Sequence, residues 1–393
     1  MRVPGEGGTR QQQTRTFRTT TAGLVVLRDW LASFGVTVVG MESTGVSWKP
    51  CDWLLEDDVE VWLLNARHLR NVPGRKTDVA DAAWICQLVE HGLVRPSFVP
   101  PKPIRELRDL TRYRKALVQE RTREAQRLHL LVEDAGIKLS SVASDTLGVA
   151  GRLLLEALTH GTHDPEVLAD LAKGQLRKKL PALREALQGR LGAHHALLLA
   201  EMLARIDHLD ETICRLSQEV ARRRAPFSPL LALLKTIPGV STRVAEVLLA
   251  EIGTDMGRFP TAGHLASWAG LCPGTGESAG KHFSGQTRKG SRWLRMALVE
   301  AAKAASPTKG TYLAAQYARL KRRRGHKRAT IAVAHAILVI AYYLLLLERE
   351  EPYADLGADY FLDRRSSDAY KNRLVRQLER LGHKVTLEPA DAA

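Results

Sequence analysis

The chain has 393 residues with a formal net charge of +15 and a pI near 9.8, a basic balance that points to polyanionic partners. Hydrophobic residues make up 45% of it, enough for ordinary cores, which excludes a wholly disordered chain; only Gly5 to Gln13 and the stretch after Pro389 have the composition of disorder. The four cysteines, Cys51, Cys86, Cys214 and Cys272, show no C-x-x-C spacing, so neither a disulfide framework nor a zinc site is expected, and without an apolar signal segment at the start a reducing cytoplasm is the expected location.

From Thr14 to Val94, strand-like runs (Thr14 to Thr19, Val36 to Met41, Val59 to Leu64) alternate with helical patterns (Ala22 to Phe34, Trp48 to Glu56, Val79 to His91), which predicts an α/β layered domain. The strand ending at Met41 delivers Glu42 into the loop Ser43-Thr44-Gly45. Asp78 and Asp81 sit three residues apart at the start of the last helical pattern and share one face. Convergence of Glu42, Asp78 and Asp81 predicts a Mg2+ site. Hard divalent ions that work on phosphates take oxygen ligands, and two of them held about 4 Å apart can stabilise both the attacking and the leaving oxygen. Taken alone, the aspartate pair has a competing reading as a helix cap and a solvated first-turn acid.

Pro96 and the Pro100-Pro101-Lys102-Pro103 cluster break this pattern. The first domain is therefore placed at residues 1–103, a helical linker region at 104–225, a third domain at 226–350 and a tail at 351–393. Within the linker, Leu198, Met202, Ile206, Leu209, Ile213, Leu216 and Val220 follow a 3–4 spacing, a coiled-coil seam that predicts self-association; packing of an amphipathic helix on its own domain is the alternative. Lys115, Arg121, Arg123 and Arg127 make the earlier helix basic, as either a nucleic-acid contact or a solvated face.

The third domain opens with Leu230 to Leu234, the turn Thr236-Ile237-Pro238-Gly239-Val240-Ser241 and the periodic run Val244 to Gly253. This resembles a helix-hairpin-helix, in which a glycine hairpin, here at Gly239, aims backbone amides at a DNA phosphate. A plain helical corner competes, because Ser241 stands where that motif often has a second glycine. The glycine- and serine-rich stretch Gly270 to Lys281 then continues through Ser284 to Arg295. Glycine lets backbone approach a phosphate, and Lys281, Arg288, Lys289, Arg292 and Arg295 are placed to bind one and to support a nucleophilic serine; alone, such a stretch reads as a plain loop. The run Arg319 to Arg328, with Arg322, Arg323 and Arg324 at its centre, reads as a nucleic-acid contact. Ala329 to Leu347 is about as long as the minimum membrane span, but Thr330 and His335 interrupt it and alanine is abundant, so a buried core helix is expected.

Four blocks together resemble a known family: MESTG at Met41 to Gly45, NARHLRNVPGRKTDVADA at Asn65 to Ala82, TIPGVSTRVAEVLLAEIG at Thr236 to Gly253, and LASWAGLCPGTGESAGK with TRKGSRWLR between Leu265 and Arg295. Their order and spacing resemble the bridge-RNA-guided insertion-sequence transposases, recombinases with an N-terminal DEDD, RuvC-like domain and a C-terminal catalytic-serine domain. The resemblance implies a ribonuclease-H-related first domain, a helical linker used in oligomerisation and RNA binding, and a strand-exchange domain. By motif position, Glu42, Asp78 and Asp81 match three of four metal-binding acids, and Ser278 matches a serine that attacks DNA to form a transient phosphoserine link; Lys281 is given a phosphate-binding role. The implied partners are donor and target DNA, a structured guide (bridge) RNA and further copies of the chain as a dimer or tetramer, with no membrane. One departure concerns the family's first acid, which lies on the first strand of that domain. Here the strand is missing, and the one acid before Asp29 is Glu6, in a Gly-rich stretch with no strand pattern. Two other readings stay open: a RuvC-like structure-selective nuclease using water, which does not need Ser278, and a catalytically silent nucleic-acid-binding remnant.

Overall fold

The structure, a computed structural model, describes residues 1–4, 10–66, 69, 77–274, 277–282, 285–346, 351–363 and 367–387. The chain separates into two compact units, Met1–Pro100 and Pro101–Ala393.

The first unit begins with an antiparallel pair, β1 (Arg2–Pro4) and β2 (Arg10–Gln12). Helix α1 (Thr21–Ser33) follows, its N-terminus capped by the Thr20 hydroxyl, which accepts from the Gly23 N–H at 3.3 Å. Strand β3 (Val38–Glu42), helix α2 (Lys49–Leu55) and strand β4 (Glu60–Leu64) form a parallel crossover in which Val38 lies opposite Glu60 and Glu42 opposite Leu64. Helix α3 (Asp78–Glu90) starts behind Thr77, whose hydroxyl accepts from the Ala80 N–H at 3.2 Å. A side chain at Gly40 would meet Val89 Cγ2 at 2.7 Å and Ile85 Cγ2 at 3.2 Å, so the glycine in mid-β3 is what lets α3 press onto the strand. Leu64, Leu69, Leu88 and Val94 form the buried centre, with Trp62, Trp84, Ile85 and Val89 packed around it.

Two expectations fail here. Thr14 to Thr19 is not a strand, and part of the Gly5 to Gln13 stretch that reads as disordered is β2; residues 5–9, Glu6 included, lie outside the described residues. A three-residue strand is too short to show alternation. β1 and β2 are held by their own backbone ladder and by Arg2 and Arg10, each 2.7 Å from the Glu90 carboxylate on α3, none of which leaves a hydrophobic period in the sequence. Threonine-rich sequence without a partner strand has nothing to pair with.

Among its described residues the second unit is helical apart from one small hairpin. Helix α4 (Lys102–Asp134) runs for 33 residues and packs along α9 (Ala193–Arg223). Between them come α5 (Leu139–Val142), α6 (Val149–Thr159), α7 (Pro165–Asp170) and α8 (Leu180–Ala186). Leu154, Leu155, Leu158, Leu168 and Leu183 from these short helices join Leu128 and Val132 of α4 and Leu199, Leu203 and Ile206 of α9 in one core. Further along, Leu117 of α4 meets Leu209 and Ile213 of α9, with Val118 and Leu216 beside them. This corrects the self-association reading of the 3–4 spacing: the seam from Met202 to Leu216 closes on α4 of the same chain, and Leu198, at its start, is 45% exposed. An apolar stripe states that a helix needs a partner, not whose partner it is.

The remainder comprises α10 (Ser228–Lys235), α11 (Thr242–Ile252), α12 (Ala262–Trp268), β5 (Glu277–Ser278), β6 (Lys281–His282), α13 (Arg292–Ala305), α14 (Tyr312–Arg324) and α15 (His326–Leu346), then α16 (Tyr360–Asp363) and α17 (Ser367–Arg380). The apolar α15 packs against α10, α12, α13 and α14 as a core helix, and Tyr342 donates its hydroxyl to the Phe259 carbonyl at 2.9 Å. An ionic network fastens α4 to α11. Arg114 Nη2 and Arg224 Nε lie 2.5 and 2.9 Å from the two oxygens of Glu246, and Arg112 grips Glu251 with two bonds of 2.7 and 2.8 Å. Arg108 donates to the Ala250 and Glu251 carbonyls at 2.9 and 2.7 Å, satisfying backbone acceptors that the end of α11 leaves open. Burial pushes the Arg108 pKa down to about 10.

Candidate functional site

The acids come first in the chain. Glu42 is half-buried at the end of β3 and accepts from the Thr44 hydroxyl at 2.8 Å. Asp78 and Asp81 occupy the first turn of α3, Asp78 exposed and Asp81 half-buried. Asp78, Asp81, Ile85 and Val89 fall on one helical stripe, and Ile85 and Val89 are the side chains that abut β3 at Gly40, so the acids continue the strand-facing stripe. Their oxygens are the donors a hard divalent cation takes. The three are nonetheless not gathered: among the described residues, no group of three or more His, Cys, Asp or Glu side chains is close enough to hold a metal ion. Local interactions account for where they stand. The Thr44 hydroxyl holds Glu42, and the α3 N-terminus favours acids in its first turn.

The glycine- and serine-rich stretch is not a plain loop. Gly270 and Gly290 meet at its base: a Cβ on Gly270, at φ 72°, would lie 2.7 Å from Gly290 N, and one on Gly290 would lie 2.3 Å from the Ala269 carbonyl carbon. Above them Pro273 bridges Thr287, and the Gly274 N–H donates to the Gln286 carbonyl at 2.8 Å. At the tip, β5 and β6 pair antiparallel, with Glu277 opposite His282 and Ser278 opposite Lys281. Ala279 and Gly280 join them with φ values of 49° and 73°, the two positive angles of a type I′ hairpin turn. Ala279 is the one non-glycine residue with positive φ among the described residues, a strained position at the end of a finger that carries Ser278 beside Lys281. Lys281, Arg288 and Lys289 are exposed along this finger, and Arg292 is exposed just after it.

The finger is anchored from below. Arg295 donates from Nη1 to the Gly270 carbonyl at 3.1 Å and to Thr287 Oγ1 at 2.6 Å, which assigns this arginine to holding the base of the finger rather than to an outward phosphate contact. Ser291 accepts from the Leu294 N–H at 3.3 Å as the cap of α13 and donates to Glu251 Oε2 at 2.9 Å. Neither anchor is visible from sequence spacing, because each joins segments that only the packed unit brings together. The hairpin escapes sequence reading too, since Ala-Gly is not among the dipeptides that mark a two-residue turn.

Gly239 is placed differently from its expected role. Its φ is 85°, and a Cβ there would lie 2.3 Å from the Ala301 carbonyl oxygen and 2.7 Å from Ala305 N, so the glycine is needed for the turn to pack on α13 rather than to present an open surface to phosphate. The basic run stays outside: Lys321 to Arg328 are exposed at the corner where α14 ends at Gly325 and α15 begins. Among the described residues Arg322, Arg323 and Arg324 have no ion pair. Reversing these three to glutamate is expected to weaken nucleic-acid binding across sequences and to flatten its dependence on salt, by about 0.7 to 0.9 in log–log slope for each phosphate no longer neutralised. Titrations from low to high salt read the slope, and an unchanged slope would make the corner a solvated face.

Comparison with known proteins adds what the chain is similar to. Residues 231–318 match the family described as "Transposase IS116/IS110/IS902 family", and residues 5–136 match the DEDD transposase domain of IS110 type, which implies a divalent metal requirement. Over 122 residues the chain is 39% identical to "Insertion element IS110 uncharacterized 43.6 kDa protein" of Streptomyces coelicolor, covering 30% of this chain and 29% of that protein. It is 26% identical over 285 residues to "Transposase for insertion sequence element IS1328" of Yersinia enterocolitica, covering 71% and 74% of the two chains. A third similarity, 30% over 121 residues, is to "Mini-circle putative transposase for IS117" of Streptomyces coelicolor and covers 31% of this chain and 27% of that one. With a match to the DEDD transposase domain ahead of a match to the IS116/IS110/IS902 transposases in the region that holds the serine finger, and 26% identity to a transposase over 71% of this chain, the chain is similar to the transposases of that family.

Proposed function

We propose that this protein moves an insertion sequence as a DNA recombinase in which Ser278 attacks a phosphodiester while a structured guide RNA selects the target by base pairing. The observation that carries the reading is the finger: a strained two-residue turn sets Ser278 opposite Lys281 at the tip of an anchored hairpin with further cations along it. In the step, Ser278 Oγ forms a bond to phosphorus and gives up its proton, and the phosphorus–oxygen bond to the sugar breaks, the departing oxygen taking a proton. Lys281, Arg288 and Lys289 offset the phosphate charge. The phosphoserine link conserves the energy of the phosphodiester, so attack by a second strand end can restore the strand and release the serine without a further energy source.

By the family resemblance rather than by their placement here, Glu42, Asp78 and Asp81 would be the ligands of the divalent cation, Mg2+, in a RuvC-like domain. Asp78→Asn and Asp81→Asn should each abolish Mg2+-dependent strand cleavage while leaving the fold intact, because the amide keeps the shape and loses the charge; undiminished cleavage by either variant removes that residue from the site. The guide RNA follows from the family resemblance and agrees with the basic balance of the chain: a protein that delegates sequence to base pairing needs mainly backbone and shape contacts of its own. The turn between α10 and α11 is the helix-hairpin-helix element of this reading, holding phosphate through α11 rather than through Gly239. A cytoplasmic dimer or tetramer belongs to the same proposal, assembled through surfaces other than the α9 seam. The deciding experiment is the search for a covalent protein–DNA adduct that depends on Ser278.

A further inference from the structure

A cavity of about 170 Å³ lies among α4, the start of α11 and the start of α13, comparable in size to a single nucleobase. Its wall includes the half-buried indole of Trp293, over which the Arg292 guanidinium lies 4.4 Å from the ring centroid. Val244 and Val247 of α11 give it an apolar side. Cations stand at the same opening. Arg243 is exposed and has no ion pair among the described residues, and Lys115 pairs with Glu300 at 2.6 Å across an exposed edge, a bond weak enough to be exchanged for a phosphate. Glu251 also borders the cavity, but its carboxylate is 1% exposed and already answered by Arg112 and Ser291, so it adds little repulsion.

An aromatic ring with apolar neighbours and cations at the opening fits a nucleotide, with its flat apolar base and charged phosphate. It fits an unpaired nucleotide best, since a base still stacked in a duplex cannot enter a pocket. Position supplies the rest. Ser291, bonded to Glu251 on the cavity wall, follows directly on Gly290, where the Ser278 finger closes. We propose that this cavity takes one unpaired nucleotide of the DNA strand on which the finger acts, its base on Trp293 and its phosphate on Arg243 and Lys115. The proposal rests on the reading of the finger as the strand-cutting element, and it makes the cavity the place where the strand is held in register.

The test uses full-length protein carrying Ser278→Ala, so that the strand stays intact and only binding is read. Labelled single-stranded DNA oligonucleotides, each with one abasic site stepped along the strand, are titrated by fluorescence anisotropy. One position should show a loss of affinity of about tenfold when its base is absent. Adding Trp293→Leu should cost about the same and remove the dependence on that position, and Trp293→Phe should retain it. Arg243→Glu should lower affinity and the salt slope yet leave the abasic profile in place, a result independent of how well the Trp293→Leu protein folds. A flat abasic series, an unchanged profile in Trp293→Leu, or a profile seen with RNA oligonucleotides and not with DNA would each overturn the proposal. Failure to find a Ser278 adduct in the unaltered protein would overturn the serine reading and leave this binding result standing, so the two failures are distinguishable.

Discussion

Ser278→Ala should eliminate covalent protein–DNA adduct, a loss of at least about a thousandfold, on denaturing electrophoresis of labelled DNA with guide RNA and Mg2+. A serine hydroxyl that opens a phosphodiester stays joined to the DNA until another strand end displaces it, so the adduct reports the nucleophile directly. The finger geometry makes the companion variants informative. Lys281→Ala removes the cation opposite Ser278 and should slow adduct formation by about a hundredfold. Ser291→Ala acts elsewhere: the hydroxyl caps α13 and bonds to Glu251, so the expected effect is a loss of stability of about 1 to 3 kcal/mol with adduct still formed by the folded fraction. Ser284, outside the described residues, is the other serine of the stretch. Adduct that survives Ser278→Ala and vanishes with Ser284→Ala or Ser291→Ala would move the nucleophile to that residue, and cleavage without any adduct would favour the hydrolytic nuclease.

Glu246→Ala should be the most destabilising of the single changes considered, by about 3 to 5 kcal/mol. Glu246 is 4% exposed and Arg114 is 5% exposed, and Arg224 lies 2.9 Å from the second oxygen of the same carboxylate. Removing the acid leaves the Arg114 charge buried without its partner, and that uncompensated charge is the source of the cost. Against a total stability on the order of 5 to 15 kcal/mol the loss is large enough to read as a clear shift in the urea midpoint. A double variant, Glu246→Leu with Arg114→Met, should recover much of it, because packed apolar side chains of similar size avoid the desolvation that the ion pair had to overcome. A Glu246→Ala midpoint within error of the unaltered protein would mean that the pair does not hold α4 to α11.

The sequence by itself determined the parts whose partners are near in the chain. Val36 to Met41 and Val59 to Leu64 are strands within a residue or two of the expected bounds, as are the three helices of the first unit, because buried strands and amphipathic helices write their periods into adjacent residues. The exposure of Arg322 to Arg324 followed from their density, since charges in such number have no counter-ions nearby to bury them. The α15 helix was recognisable as core from its alanine, Thr330 and His335. Tertiary structure decided the rest. Whether α9 meets a second copy or α4 depends on a helix far earlier in the chain, and the stripe reads the same either way. Gly239 and Arg295 both carry residue types suited to phosphate, yet one packs on the α13 backbone and the other bonds to Gly270 and Thr287. The finger took shape through contacts between Gly270 and Gly290, and the acids of the first unit kept their stripe without gathering into a metal cage. For α9, Gly239 and the finger the deciding term is a contact between residues far apart in the chain, and composition and local spacing carry no record of which distant group will be the neighbour.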